Sequence, residues 1–408
     1  MMEKLFKVLK NNLILVVILL IIFVEISFLE RNFLFDLFSN RDENTASDSV
    51  LNDYTKEIIE KCSKENYRPG CYDKEIPKLL DRISMEDAFR VTRVVQKNEG
   101  DKYMYCHVLG HNLSAKETAK DPDKWKDVIT RCPSGTCSNG CIHGAFQERF
   151  RTETMNNKAI DELIPELKTV CEARGTWSPT GLERASCYHA IGHLIMFISD
   201  GDINKSNEVC EKLPESYLQM CYDGNFMQIF QPLGQEDIDL VKDFAPKNQK
   251  EAELFCSKYT GLKNSSCHQE SWPLYFEQIK TPDGLVKFCS YSSDVNKQNM
   301  CYNALFYVVS AQMNLDLVRI KEFCLGLPDS RKSLCFSNSA SRMIETDYNL
   351  ADKAASLCKD GEALGVGDQC YKELIQYSTF NYHPNSEGAS YLCNALPEPW
   401  KSQCFNKL

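Results

Sequence analysis

Short bursts of apolar residues at helical spacing recur along most of the chain, separated by polar turns. In the segment DLVRIKEFC, residues 316–324, Leu317, Ile320 and Phe323 fall three apart and share one helix face. The segment CYNALFYVVS, from Cys301, predicts another helix. Proline marks the boundaries: Cys-x-x-Leu-Pro occurs at Cys210, Cys324 and Cys393, and proline cannot continue a helix. A helix, a short polar loop and a second helix together predict an α-hairpin. Helices of about nine residues do not hold alone in water, so each hairpin must be stabilised by its neighbours.

The first 30 residues break this pattern. Residues 13–24 are an unbroken apolar run, with Lys4, Lys7 and Lys10 before it and Glu25 after it. With residues 26–29 it approaches the ~20 residues that span a bilayer. The preceding lysines place the rest of the chain outside the cytoplasm. No A-x-A cleavage site follows, so the expectation is an uncleaved signal anchor rather than a removed signal peptide. The predicted organisation is a cytoplasmic N-terminus (1–11), a transmembrane anchor (12–30), a polar tether rich in Ser, Asp and Asn (31–55) and an extracytoplasmic repeat domain (56–408). That makes a single-pass protein of the cell membrane, its membrane contact made through the N-terminal helix.

Cysteine sets the repeat. Ten cysteines open apolar helical stretches: Cys71, Cys106, Cys141, Cys187, Cys221, Cys267, Cys301, Cys335, Cys370 and Cys404. Their spacings are 35, 35, 46, 34, 46, 34, 34, 35 and 34 residues, a tandem period near 35 with two longer units. Nine more cysteines close the preceding helices, each 9 to 16 residues before an opener. Only Cys106 lacks a closer, and only Cys137 is left over. This pairs Cys106 with Cys137 and every other cysteine with its neighbour. Twenty cysteines with no C-x-x-C argue for disulfides in an oxidising compartment, against zinc or iron–sulfur clusters of the usual spacing. The net charge of −10 leaves no basic excess for nucleic acid.

Helical hairpins of this period resemble the tetratricopeptide-like repeat superfamily. The cysteine phase resembles its secreted, cysteine-rich bacterial members, in which a disulfide joins the end of one helix to the start of the next. The resemblance covers residues 56–408 and rests on period and cysteine phase; the Trp, Gly, Tyr and Ala signature positions are not evident. It implies an all-α, right-handed superhelix, or solenoid, with a concave binding face.

Candidate chemistry is concentrated in residues 100–230. Five of the seven histidines open three consecutive units: His107 and His111, then His143, then His189 and His193. Two units read H-x-x-G-H, which puts both imidazoles on one helix face. His143 and His189 lie two residues past their cysteines, as does Asp223 in the next unit. His107 and His111 lie one step out of that phase, a rotation of about 100° on an ideal helix. Gly110, Gly144, Gly192 and Gly224 sit within these predicted helices, at a cost of about 1 kcal/mol each relative to alanine, so a helix or a ligand must approach the backbone there. The expected site is a transition-metal centre for zinc, copper or iron with His107, His111, His143, His189 and His193 as candidate ligands. Three ligands and an open position would allow catalysis; four would suggest storage or structure. The competing reading is that the imidazoles fill small polar core positions.

No H-E-x-x-H, nucleophile elbow, phosphate loop or C-x-x-C-H haem attachment is present. His268 reads as an isolated surface or cap residue, and His383 as part of a polar loop. Two insertions, at 152–157 and 231–249, follow the His143 and Asp223 helices and suggest a binding face. The alternative function is a non-catalytic scaffold that binds a protein partner along the concave face.

Overall fold

A computed structural model describes residues 46–151, 153–232 and 234–408. The predicted anchor and most of the tether lie outside the described residues. The tether's last part departs from expectation: Asp48–Cys62 is a helix that buries Leu51, Thr55 and Ile58, so residues 48–55 belong to the folded unit. Its charged residues had masked an i, i+4, i+7 face. Among the described residues, no helix is long and apolar enough to cross a membrane.

The fold is all-α. Every predicted disulfide is present, including Cys106–Cys137, and no cysteine is free. Nine of the ten opening cysteines lie within, and Cys106 caps, one helix each of an inner row. These are α1 Arg68–Glu75, α2 His107–Ala119, α3 Gly140–Phe150, α4 Gly181–Ile198, α5 Leu218–Phe230, α6 Gly261–Glu270, α7 Val295–Gln312, α8 Asp329–Thr346, α9 Gly367–Asn381 and α10 Trp400–Lys407. Each packs against the next. The closing cysteines end shorter outer helices such as Ile203–Cys210 and Leu317–Leu325. Side-chain caps start many of them: Asp316 accepts the Arg319 N–H, and on the inner row Thr180 and Glu183 form a capping box.

The aromatic residues define the core side of the row. Tyr188, Phe336 and Tyr371 stand one residue after their cysteines, Phe146, Phe226 and Phe306 five after, and all are almost completely buried between inner and outer helices. The next positions round each helix, two and six after the cysteine, point to the opposite side of the row. This is where His143, His189 and His193 sit.

The helix α9 returns to pack on α4, so α4 to α9 form a closed ring. Phe380 lies against Gly181, and His383 Nε2 is 3.3 Å from the Glu183 carboxylate, so this loop histidine helps close the ring. Arg93 bonds Tyr348 at 2.7 Å and Tyr105 donates to the Ala311 carbonyl at 3.0 Å, tying earlier repeats to later ones. A cavity of about 520 Å³, partly open to solvent, lies between these helices and the segments that carry Tyr105, His107 and Ser138.

Candidate metal centre

The local sequence places the imidazoles through unusually close helix pairs. A Cβ on Gly144 would lie 2.1 Å from the His111 carbonyl oxygen, and one on Gly140 2.2 Å from that of His107. The same contact recurs one pair later, where a Cβ on Gly224 would lie 2.1 Å from the His189 oxygen and one on Gly192 2.2 Å from that of Cys221. The glycines therefore admit a neighbouring helix rather than a ligand. Backbone meets backbone in α2–α3 and in α4–α5, and the side chains beside each contact are drawn together.

The phase error of His107 and His111 is corrected by a turn of α2. Cys106 is not inside the helix, as the other openers of the site are, but caps it with φ −121°. Its bridge runs to Cys137, the first of three left-handed residues, Cys137, Ser138 and Asn139, that lead into α3. Leu109 and Leu113 are fully buried and take the core side of α2. Both histidines are thereby turned toward the other three.

All five imidazoles converge. His107 Nε2 and His111 Nε2 are 3.1 Å apart, and so are His189 Nε2 and His193 Nε2. His143 stands between the pairs, its ring centroid 5.1–5.9 Å from those of the other four. One ring nitrogen each from His107, His111 and His143 lie within 4.8 Å of one another. A tetrahedral ion with M–N distances near 2.05 Å separates its ligand nitrogens by about 3.3 Å. Both i, i+4 pairs already span that edge.

Hydrogen bonds orient the rings and assign their free lone pairs. His107 Nδ1 donates to the Cys137 carbonyl at 3.2 Å, which leaves Nε2 free. His143 Nε2 donates to the Ser186 carbonyl at 3.2 Å, which leaves Nδ1. His193 Nδ1 donates to Gln228 Oε1 at 2.7 Å, and Gln228 Nε2 donates in turn to Asp237 at 2.6 Å. Such outer partners fix the tautomer of a ligating histidine and raise its basicity. Burial depresses all five, with His107 pushed down to about 4 and His111, His143 and His189 well below the usual histidine range. Burial lowers His193 too, against the pull of Gln228. Burial thus favours the uncharged ring, the state in which imidazole binds a metal.

The cluster forms part of the cavity wall. His107, His143 and His189 line it together with Tyr307, Arg342 and Glu345. A smaller apolar pocket behind the rings is lined by His111, His193, Phe146, Leu194 and Phe197. The second insertion contributes directly, since the short helix Gln235–Val241 carries Asp237. Arg342, Glu345 and Tyr307 were not legible as site residues, because only the tertiary packing of distant repeats brings them to the same cavity as the histidines. His268 is not a surface residue: it stacks on Phe288 and Tyr291 with centroids 4.3 and 3.9 Å away, outside the cluster. Comparison of the chain with family models, curated proteins and solved structures finds no match.

Proposed function

We propose that the protein is a transition-metal protein of the extracytoplasmic space, with His107, His111, His143, His189 and His193 as ligands for zinc, copper or iron. The observation that carries this reading is the convergence of five imidazoles, two pairs with Nε2 atoms 3.1 Å apart and His143 between them. Five core-filling histidines would not need aligned lone pairs or a Gln228–Asp237 relay behind one of them. Ten disulfides support an oxidising compartment. In the full reading the repeats form a right-handed superhelix behind a membrane anchor at residues 12–30.

The cavity favours a small ligand at the metal over a protein partner. Its volume of about 520 Å³ lies within the range of small-molecule sites. Elemental analysis of the oxidised protein tests the reading. The expected result is at least one equivalent of zinc, copper or iron, reduced in a His189→Ala/His193→Ala variant. Substoichiometric metal that the variant leaves unchanged refutes it.

A further inference from the structure

Next to the histidines, the α5–α6 interface holds a buried acid, Asp223, and a half-buried one, Glu270, at the edge of the cavity. Asp223 is 8% exposed, and its Oδ1, shut off from solvent, has no hydrogen-bond partner. Glu270 faces it from α6 and accepts the Gln231 side-chain N–H at 2.6 Å. One turn earlier on α6, Ser266 is fully buried; its hydroxyl lies beside Asp223 without reaching good hydrogen-bond geometry. Among the described residues, no basic side chain offsets either acid. Burial pushes the Asp223 carboxyl up to about 7, and burial with the Asp223 charge drives Glu270 well above the carboxylate range.

Two apposed carboxyls, one of them buried, are costly unless protons or a cation neutralise them. Orphaned buried oxygens beside them point to a group that completes the site. Asp223 also continues the row: it occupies the position, two past its cysteine, that His143 and His189 occupy in the preceding repeats. Glu270 reaches the cavity wall, so an ion has a way in.

We propose that Asp223, Glu270 and Ser266 form a second cation site, for a hard divalent ion such as calcium, magnesium or manganese. The donors are the Asp223 carboxylate, the Glu270 oxygen not held by Gln231 and Ser266 Oγ. All are oxygens, which hard ions prefer and for which imidazole-seeking metals compete poorly. Two carboxylates balance one doubly charged ion, and loading the site releases whatever protons the pair holds. The site requires none of the five histidines, so it stands apart from the function proposed above.

The test uses the full chain, stripped with a chelator and held at pH 8. Addition of MnCl2 or CaCl2 is expected to load about one equivalent, read by manganese paramagnetic resonance or calorimetry, and to raise the melting temperature. The near-isosteric variant Asp223→Asn/Glu270→Gln should weaken that binding at least tenfold and abolish the thermal shift, while zinc or copper uptake at the histidines stays as in the wild type. Ser266→Ala, which removes only a hydroxyl, should weaken binding by a smaller factor. Equal ion uptake and equal thermal shifts in wild type and Asp223→Asn/Glu270→Gln overturn the proposal. So does the absence of any ion effect together with stability that falls as pH rises through 7, the signature of a pair neutralised by protons alone. Loss of zinc and copper binding with manganese binding intact would remove the histidine reading and leave this one standing.

Discussion

The helix pairs α2–α3 and α4–α5 differ from α7–α8 in what separates the two backbones. The first two meet through glycine, at Gly140 and Gly144 and at Gly192 and Gly224. The pair α7–α8 keeps side chains between its helices: Ser310 Oγ donates to Ser339 Oγ at 2.8 Å, and the Asn338 amide bonds Asn303. The same disulfide-stapled hairpin therefore packs well without interior glycine. The glycines of the N-terminal pairs do not serve the repeat as such; they set the distance at which imidazoles from neighbouring helices meet.

Breaking that spacing should give the largest effect. In Gly144→Ala or Gly224→Ala the new methyl would stand 2.1 Å from a backbone oxygen, which no rotamer change relieves. The helices must separate, at a cost of about 3 kcal/mol or more. Metal uptake should fall in step, because the rings move apart with their backbones. Ser339→Ala in the C-terminal pair removes one hydrogen bond and should cost only about 1 kcal/mol. Urea denaturation followed by circular dichroism, with metal content measured on the same samples, checks both. Equal costs in the two regions would refute the claim that the close contacts are special.

The staples sharpen the comparison at a smaller magnitude. Cys106–Cys137 closes a separation of 31 residues and Cys358–Cys370 one of 12. On the chain-entropy relation their removal should cost about 3.7 and about 2.8 kcal/mol, within about 1 kcal/mol of each other. Their effects on the metal should differ. Cys106→Ala/Cys137→Ala frees the end of α2 and the Cys137 carbonyl that holds His107, whereas Cys358→Ala/Cys370→Ala touches no candidate ligand. Metal affinity is therefore expected to drop in the first variant alone.

What was legible in the sequence follows from how local each signal was. The bridges were legible because cysteine phase is a one-dimensional pattern, and the odd pair Cys106–Cys137 emerged once the regular pairs were removed. The histidine cluster was legible because its members follow three consecutive opening cysteines closely, twice as H-x-x-G-H, although His107 and His111 lie one step out of register. The turn of α2 was not: it depends on three consecutive left-handed residues, Cys137, Ser138 and Asn139, of which neither Cys nor Ser commonly adopts that conformation. Nor was ring closure, since contacts such as Arg93 with Tyr348 or Glu183 with His383 join residues about 200 positions or more apart and leave no periodic trace. The Asp237 relay lay inside an insertion, where length alone was visible.

The finest test of the regional contrast lies in that relay. Asp237 Oδ1 accepts from Gln228 Nε2, which turns Gln228 Oε1 toward His193 Nδ1 and keeps the proton there. Its other oxygen accepts the Gly234 N–H at 3.2 Å. In Asp237→Asn the asparagine oxygen can still take the Gly234 bond, so the short helix stays anchored. The amide nitrogen then faces Gln228 and allows its side chain to flip. His193 loses its acceptor, the proton can move to Nε2, and the lone pair shared with His189 is lost. Metal affinity should fall by about 10–100-fold with the melting temperature of the metal-free protein nearly unchanged. Glu345→Gln is the matching change elsewhere on the cavity wall, where Glu345 holds Arg342 at 2.9 Å and Tyr377 at 2.6 Å. If the N-terminal repeats alone hold the metal, this variant leaves affinity where it was. A loss as large as that of Asp237→Asn would mean that the C-terminal repeats take part in holding the ion, and the division between a binding region and a supporting one would fail.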